Sequence, residues 1–349
     1  MIAVQTHHCG VLHVYVQGNL DERNGKTIIL TCHDVGTNYK TFVRFVNHPT
    51  MVDVKNKSIF LHVCVPGQED NAADYIGEYV LIIIHISFLI ILHIFYCSFP
   101  TLDNIAEDLS CVLDKLDVKS CIVFGEGAGA NILCRFAMEN SNRILGIILV
   151  HCTSTTAGIV EYCKDKVTNI RLENDIMTDG AWEYLVSHKF GTANKKDRQF
   201  YVDELKRTLN PRNLSKYLLA FTKRTDLSSS IGSKLDKAHG IYVDLFSVDT
   251  LLVSGSKASH LHTVYSTQKS MNRRKTTLLI VDNVADVLQE APENMARSLI
   301  LLCKGCGVLS GVAIPGMERQ RTLSSSMEEA DRPRRLSVTQ PTLPTVPSN

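Results

Sequence analysis

Short runs of apolar, often β-branched residues recur along the chain and predict the strands of a sheet. Most of these runs are continuous and do not alternate with polar residues, which is typical of strands buried on both faces of a parallel sheet. The first run and the turn after it are more typical of an antiparallel edge strand. The seven runs are Val11–Val16, Thr27–Thr31, Ile59–Val65, Cys121–Phe124, Ile144–Val150, Thr250–Val253 and Thr276–Val281.

Helical patterns lie between these runs. Residues Leu102–Leu116 carry apolar side chains at i, i+3 and i+4 spacing, which places them on one face of a helix. Ala128–Met138 and Glu293–Lys304 are predicted to form two further helices. Strands that alternate with helices indicate an α/β fold with a mostly parallel, doubly wound sheet, and we assign this domain to residues 1–310.

The strand pattern stops at Gly158, and the sequence becomes polar and helical until about Lys237. Because the strand pattern resumes at Thr250, residues 158–237 are most simply interpreted as a helical cap inserted into the α/β domain. The cap is therefore predicted to be part of the same domain.

One apolar segment, residues 79–97, interrupts the α/β pattern. It contains no Asp, Glu, Lys or Arg and is long enough to cross a membrane as a helix, which takes about 18 apolar residues. A spanning helix here would divide one sheet between the two sides of a membrane, and no basic residues flank the segment to orient it. We therefore interpret it as an atypical insertion, with a membrane-anchored protein bound to a lipid surface as the alternative.

Composition and charge narrow the function. Lys and Arg total 37 against 36 Asp and Glu, so a nucleic-acid partner is not expected. The 11 cysteines lie mostly in apolar runs, as reduced thiols do, and the N-terminus lacks the pattern of a secretory signal. Both observations favour a cytoplasmic protein.

Two groups of residues resemble metal ligands, but neither predicts a metal site. The Cys303 and Cys306 pair has no second CxxC or histidine pair to complete four ligands. The other group is interpreted as side chains around a hairpin at Gly10, and it consists of His7, His8, Cys9 and His13. We expect no metal and no cofactor.

The most informative stretch follows the strand Cys121–Phe124 and reads Gly125-Glu126-Gly127-Ala128-Gly129. An α/β-hydrolase has G-x-S-x-G here, because its nucleophile must sit on a sharp turn between a strand and a helix. The glycines of this turn are present, but Gly127 stands in place of the serine. A residue without a side chain cannot form an acyl intermediate, so the nucleophile position is vacant.

The other two catalytic positions also lack the residues that a hydrolase needs. The strand Thr250–Val253 is followed by Ser254-Gly255-Ser256-Lys257 where the acid is expected. No histidine occurs beyond His262, so the last strand has no general base after it. The sequence therefore predicts no catalytic residues, although a hydrolase with an unrecognised nucleophile remains the alternative.

This stretch also fits the patterns of other functions. Gly125, Gly127 and Ala130 also fit the dinucleotide pattern G-x-G-x-x-A, but the next strand ends without the acidic residue that would hold a ribose. Nearby nucleophile types are interpreted as core or loop residues because none has a predictable base, and they are Glu126, Cys134, Cys152 and Ser154.

Four motifs make the chain similar to the NDRG (N-myc downstream-regulated) family. They are IILTCHDVGTNYK at 28–40, VCVPGQE at 63–69, TLDNIAED at 101–108 and VFGEGAGANILCR at 123–135. The resemblance covers most of the chain and implies a non-enzymatic α/β-hydrolase fold in the cytoplasm, with roles in differentiation, stress response and signal transduction. The segment 79–97 and the divergent cap depart from the family pattern, which puts any partner of the cap in doubt.

A loop in the first motif resembles the oxyanion loop of hydrolases. It follows the strand Thr27–Thr31 and consists of His33, Asp34, Val35 and Gly36. In an active enzyme its backbone amides would face the elbow. Here we expect the loop to survive as structure, with a small ligand as a weaker alternative.

Residues 311–349 are predicted to be a disordered tail, because from Pro315 onward they contain five of the ten prolines and no aromatic residue. Arginines stand five and three residues before Ser324 and again before Ser337, the spacing that a basophilic AGC-type kinase recognises. The family resemblance likewise implies tail phosphorylation. The candidates are Thr322, Ser324 and Ser337, with Arg319, Arg321, Arg332, Arg334 and Arg335 as recognition residues and unidentified proteins as partners.

Overall fold

The computed structural model describes residues 1–75, 99–158, 177–191, 196–235 and 248–316, together with the backbone of two strands at 79–86 and 89–96. The chain separates into two compact units, Met1–Pro315 and Gly316–Asn349. Every element described below belongs to the first unit. The predicted phosphorylation and kinase-recognition residues, from Arg319 to Ser337, lie outside the described residues.

An eight-stranded sheet forms the centre of the first unit, in the order β1-β2-β4-β3-β7-β8-β9-β10. Strand β2 is antiparallel to both of its neighbours, whereas every pair from β4 to β10 is parallel. The described strands are β1 (Ile2–Gln5), β2 (Val11–Gln17), β3 (Thr27–Cys32), β4 (Ser58–Cys64), β5 (Tyr79–Ile86), β6 (Leu89–Tyr96), β7 (Cys121–Glu126), β8 (Ile144–Val150), β9 (Thr250–Gly255) and β10 (Thr276–Val281). The predicted mostly parallel sheet is confirmed, and the pattern missed only β1 among its eight strands.

Helices cover both faces of this sheet. The described helices are α1 (Lys40–Val46), α2 (Val52–Lys57), α3 (Leu102–Lys115), α4 (Gly127–Glu139), α5 (Asp179–Phe190), α6 (Lys196–Thr208), α7 (Pro211–Thr222), α8 (Ile231–Leu235), α9 (Leu261–Ser270), α10 (Val287–Glu290) and α11 (Pro292–Gly305). The predicted helices at α3, α4 and α11 are confirmed to within one or two residues at each end.

Alternate residues of each central strand enter two separate cores, because successive side chains of a strand point to opposite faces. In β7, Val123 packs with α3 and α4, while Phe124 packs with α1 and α11 on the other face. All six residues of β7 are buried, as are all seven of β4. The continuous apolar runs therefore reflect strands covered on both sides, as the doubly wound arrangement requires.

The N-terminal turn is held by one carboxylate of α3. Asp108 accepts backbone N–H groups from His7 at 3.1 Å, His8 at 2.9 Å and Cys9 at 2.7 Å. The chain then turns at Gly10 between β1 and β2, where the sequence predicted a hairpin. No group of three or more His, Cys, Asp or Glu side chains suited to a metal occurs in the part of the chain that the structure describes.

Four described helices, α5 to α8, connect β8 to β9 in the region assigned to the cap. Helix α7 packs against loops of the sheet through Asn213, whose side-chain amide donates to the carbonyls of Gly67 at 3.0 Å and Ala73 at 2.8 Å. Its Tyr217 hydroxyl donates to the carbonyl of His33 at 3.0 Å. These contacts place α7 over the carboxyl ends of β3 and β4, the edge where α/β folds bind ligands.

The segment that was long enough to be a spanning helix instead forms a β-hairpin. Strands β5 and β6 pair antiparallel, from Tyr79 opposite Tyr96 to Ile86 opposite Leu89, and make a separate two-stranded sheet. The described backbone at 79–86 and 89–96 is therefore strand and not a spanning helix, and membrane anchoring through residues 79–97 stays a hypothesis. None of the helices within the described ranges is long and apolar enough to cross a membrane.

Candidate functional site

The predicted elbow forms a sharp turn between β7 and α4. Strand β7 ends at Glu126, and α4 begins at Gly127, whose φ of +54° lies in the left-handed region that favours glycine. A Cβ atom at Gly129 would lie closer than 3.0 Å to the backbone of Cys32, so this position also requires glycine. The backbone of a nucleophile elbow is thus present without a nucleophile.

The carboxylate of Asp34 occupies the place above this elbow. Its Oδ1 atom accepts the backbone N–H of Ala128 at 2.8 Å and that of Val35 at 2.7 Å. In an α/β-hydrolase the N–H after the nucleophile and an N–H from the loop after β3 together form the oxyanion hole. Both donors of that hole are therefore present here, and the chain fills the hole with its own carboxylate.

Asp34 also takes the space that a nucleophile side chain would need. A Cβ atom built on Gly127 would lie closer than 3.0 Å to the carboxyl carbon and both carboxyl oxygens of Asp34. Real Cβ atoms essentially never approach other atoms this closely. The Asp34 carboxyl group can therefore pack on the elbow only because the nucleophile position is a glycine.

A histidine of the cap completes the site. His188, near the end of α5, donates from Nε2 to Oδ2 of Asp34 at 2.8 Å, and both side chains are only 10% exposed. Burial raises the pKa of Asp34, but the charge of His188 and the hydrogen bonds from His188, Ala128 and Val35 lower it to about 2. Asp34 is therefore an ionised carboxylate at neutral pH.

Hydrogen bonds fix the rest of the oxyanion loop. His33 donates from Nδ1 to the carbonyl of Asp34 at 2.9 Å and accepts the N–H of Val65 at Nε2 at 3.0 Å. Burial lowers the pKa of His33 to about 4, so the ring is neutral with its proton on Nδ1. The Tyr201 hydroxyl of α6 donates to the carbonyl of Gly36 at 2.8 Å. The loop thus has a structural role on both its sheet and cap sides.

A second buried ion cluster lies beside the first. Lys189, the neighbour of His188, reaches Oδ2 of Asp286 at 2.8 Å and Oε1 of Glu126 at 3.5 Å. Burial raises the pKa of Glu126, whereas the two carboxylates raise the pKa of Lys189 against the effect of its own burial. The sequence predicts that Glu126 is a core or loop residue. In the structure its carboxylate also pairs with Lys189 of α5.

The described residues leave a small cavity beside Gly127. It lies between Asp34, His151, His188 and His260, and its volume is about 20 Å³. That is room for about one or two water molecules. A small-molecule site usually measures several hundred cubic ångströms, so the space that the described residues leave beside Gly127 is small by comparison.

The loops after β9 and β10 would carry the other two catalytic residues of a hydrolase. The loop after β9 supplies Ser256, whose Oγ accepts the N–H of Asn283 at 2.9 Å, and the loop after β10 supplies Asp286, whose Oδ1 caps α10. The alternative nucleophiles have structural surroundings. Burial raises the pKa of Cys134 to about 12 and that of Cys152 well above the ordinary range, while Ser154 is buried against Thr267.

Sequence reasoning missed His188 and Lys189, because it searched for a histidine after the last strand, where hydrolases keep it. It also interpreted Asp34 only as part of a loop. Asp34 and His188 are 154 positions apart in the chain, and only the folded cap brings them together. An acidic residue beside the expected oxyanion donors was the one available signal.

Sequence comparisons identify relatives of this chain. A family model described as the Ndr family matches residues 2–86 and 93–310. An uncharacterised protein of Caenorhabditis elegans is 70% identical over 348 residues, covering 100% of this chain and 98% of that protein. NDRG3 of Xenopus laevis is 26% identical over 326 residues, covering 91% of this chain and 78% of that protein.

Two solved structures with a similar fold are those of an esterase and a lactonase. An esterase from Thermogutta terrifontis has a TM-score of 0.63 at 12% identity and covers 87% of this chain and 98% of its own. An enol-lactonase from Burkholderia xenovorans has a TM-score of 0.62 at 12% identity and covers 87% and 100%. At this level of identity the similarity establishes the α/β-hydrolase fold alone.

Proposed function

Because the chain belongs to the Ndr family and fills its own oxyanion hole, we propose that it is a non-enzymatic protein with an α/β-hydrolase fold that acts as an adaptor. The observation that carries the proposal is the position of Asp34, which accepts hydrogen bonds from Val35 and Ala128 and crowds Gly127. A hydrolase keeps these two amides for the negative charge that develops on its substrate. An ionised aspartate already bound there competes with that charge and repels it.

Three further features support the absence of hydrolysis. Gly127 has no side chain, the loop after β10 presents Asp286 where a hydrolase has its histidine, and His188 already donates its Nε2 proton to Asp34. A general base must be able to accept a proton from the attacking group. Among the described residues, the nucleophile position has no side chain and both oxyanion donors are occupied, which supports the proposal.

The first test measures esterase chemistry directly. We expect the purified chain to show no covalent labelling by a fluorophosphonate probe and no turnover of a panel of short and long acyl esters above the buffer rate. An active serine esterase serves as the positive control, and Asp34→Asn shows whether the charge alone suppresses reaction. Turnover that a single substitution, for example Ser154→Ala or Cys152→Ala, removes would establish the alternative of an unrecognised nucleophile.

We also propose that tail phosphorylation regulates the adaptor in signal transduction, stress response and differentiation. The repeated arginine spacing before Ser324 and Ser337 supports a basophilic AGC-type kinase as the modifying enzyme. Each phosphate would add a charge of about −1.5 to −2 beside the arginines, which changes the surfaces that the tail can bind. The described cysteines are all free thiols, which supports the cytoplasm as the compartment.

A pull-down with the full-length chain tests the tail. We expect chain phosphorylated at Ser324 and Ser337 to retain a different set of proteins from the unphosphorylated chain, and the Ser324→Ala, Ser337→Ala double variant to behave as unphosphorylated after kinase treatment. Ser325→Ala is the matched control, because Ser325 lacks the arginine spacing. Identical protein sets in both states would refute regulation by the tail.

A further inference from the structure

Strand β10 forms one edge of the eight-stranded sheet, where it pairs with β9 alone among the described strands. Its register with β9 is continuous from Thr276 to Val281, so no bulge interrupts the edge. The strand reads Thr-Thr-Leu-Leu-Ile-Val and contains no charged residue and no Pro, which are common protections of an exposed edge against pairing with another chain. The sequence of β10 therefore allows a further strand to be added.

Half of the backbone groups of β10 point away from β9. The carbonyl of Lys275 accepts the N–H of Thr250 at 2.8 Å. The carbonyl of Val281 accepts the N–H of Ser256 at 2.9 Å, so the odd-numbered residues face β9. Because this direction alternates along a strand, the even-numbered residues present their N–H and C=O groups to the open edge. Within the described ranges these groups have no backbone partner, and they belong to Thr276, Leu278 and Ile280.

The side chains along this edge are apolar and only partly covered. Leu278 packs against the core on one face of the sheet, and Leu279 packs against the core on the other face. Both side chains remain partly exposed, as does that of Ile280. A strand added at this edge would cover them, and it would bury apolar surface on both faces of the sheet.

The charges beside β10 favour a second copy of the same strand in antiparallel orientation. Arg274 lies just before the strand and Asp282 just after it, both are exposed, and neither belongs to an ion pair between described residues. A two-fold axis at Leu278 pairs Thr276 with Ile280 of the other copy. The same axis places Arg274 of each copy opposite Asp282 of the other, and opposite charges at such positions stabilise an antiparallel pair. A parallel arrangement would place like charges side by side.

We propose that β10 is a dimerisation surface, at which two copies of this chain join their sheets edge to edge in antiparallel orientation. The paired strands exchange about six backbone hydrogen bonds, since each hydrogen-bonded residue pair contributes two. An ion pair between Arg274 and Asp282 closes each end of the interface. The proposal goes beyond the adaptor function and does not depend on the lack of hydrolysis, because β10 contains neither Asp34 nor Gly127.

Sedimentation velocity with the full-length chain tests dimer formation. We expect a reversible equilibrium between monomer and dimer in the micromolar range, which shifts towards monomer as ionic strength rises because the ion pairs are exposed. Arg274→Glu replaces both attractive pairs by like charges, so it should raise the dissociation constant of the dimer about tenfold. Asp282→Arg should have a similar effect, whereas the double variant Arg274→Glu, Asp282→Arg should recover the wild-type constant. Arg207→Glu, at an exposed position of the cap helix α6, is the matched control and should leave the constant unchanged.

Hydrogen exchange locates the interface in the same samples. A higher chain concentration should slow the exchange of the amides of Leu278 and Ile280, whose N–H groups face the open edge. The amides of Thr277 and Leu279 already face β9, and their exchange should change much less. Exchange at Leu278 and Ile280 that is the same in monomer and dimer would overturn the assignment of the interface to β10.

The sedimentation results decide the proposal independently of any test for hydrolysis. A chain that is monomeric at every concentration would overturn it, and so would a dimer that neither charge reversal weakens. If both single variants weaken the dimer and the double variant does not restore it, two copies do not meet in the antiparallel register. Circular dichroism checks the fold of each variant. Ile280→Lys, which places a charge on the open edge, replaces a variant that fails to fold and should also raise the dissociation constant.

Discussion

Replacing Gly127 by serine is expected to yield an unstable protein without esterase activity, and not a restored hydrolase. The new Cβ would collide with the Asp34 carboxyl group, and a φ of +54° strains any residue that has a side chain. Overpacking and backbone strain each cost on the order of 1–3 kcal/mol, so we expect a loss of about 3 kcal/mol or more in the free energy of unfolding. Chemical denaturation measures the loss, and the fluorophosphonate probe measures reactivity.

The double variant Asp34→Gly, Gly127→Ser separates the two causes. Removing the carboxyl group relieves the collision, and we expect it to recover a large part of the lost stability. Labelling should remain absent, because the loop after β10 still lacks a histidine. If the single variant Gly127→Ser were as stable as the wild-type chain, the close packing of Asp34 on the elbow would be refuted.

Replacing Lys189 by methionine should produce the second large effect. The substitution leaves the carboxylates of Glu126 and Asp286 buried without their cation, and these side chains are only 3% and 1% exposed. Removing one partner of a buried ion pair typically costs about 3–5 kcal/mol, because the remaining charge is uncompensated. We expect a loss of this size in the free energy of unfolding, measured by chemical denaturation at pH 7.

Neutral partners should reverse that loss. In the triple variant Lys189→Met, Glu126→Gln, Asp286→Asn the buried charges are gone, while the amide oxygen of the introduced asparagine can still cap α10. We expect the triple variant to regain most of the stability. Lys269→Met, at an exposed position of α9, is the control and should change stability by less than about 0.5 kcal/mol. A Lys189→Met variant that resembles this control would contradict the buried cluster.

The fold was largely predictable because its strands are covered on both faces. The run Ile59–Val65 is buried throughout, so its composition identifies it without knowledge of its neighbours. The amphipathic helix α3 was predictable for a similar reason, since its buried side recurs at helical spacing. Strand β1 was missed because it is four residues long and lies at the sheet edge with only Val4 fully buried.

The hairpin of β5 and β6 shows that the length of an apolar segment does not by itself identify a membrane-spanning helix. The segment 79–97 is long and apolar enough for a spanning helix, but it is dominated by isoleucine and other β-branched or aromatic residues. Such side chains lose rotamer freedom in a helix and pack well on a strand. Weighing residue type beside length would have favoured two strands.

The elbow was predictable from local sequence, whereas the Asp34 carboxylate that lies against it was not. The glycines at 125, 127 and 129 are neighbours in the chain and share one turn. The pairing of Asp34 with His188, and of Lys189 with Asp286, depends on how the cap seats on the sheet. Contacts of this kind follow from three-dimensional packing and leave no spacing that a single sequence reveals.

The adjacency of His188 and Lys189 has a mechanical consequence. Both residues belong to the last turn of α5, and they contact different carboxylates: His188 contacts Asp34, and Lys189 contacts Asp286 and Glu126. A rigid helical turn cannot withdraw one of them and leave the other fully seated. Any force or partner that lifts this end of the cap must therefore break both ion pairs in one concerted step. We expect this end of the cap to separate in a single cooperative transition and not by gradual opening.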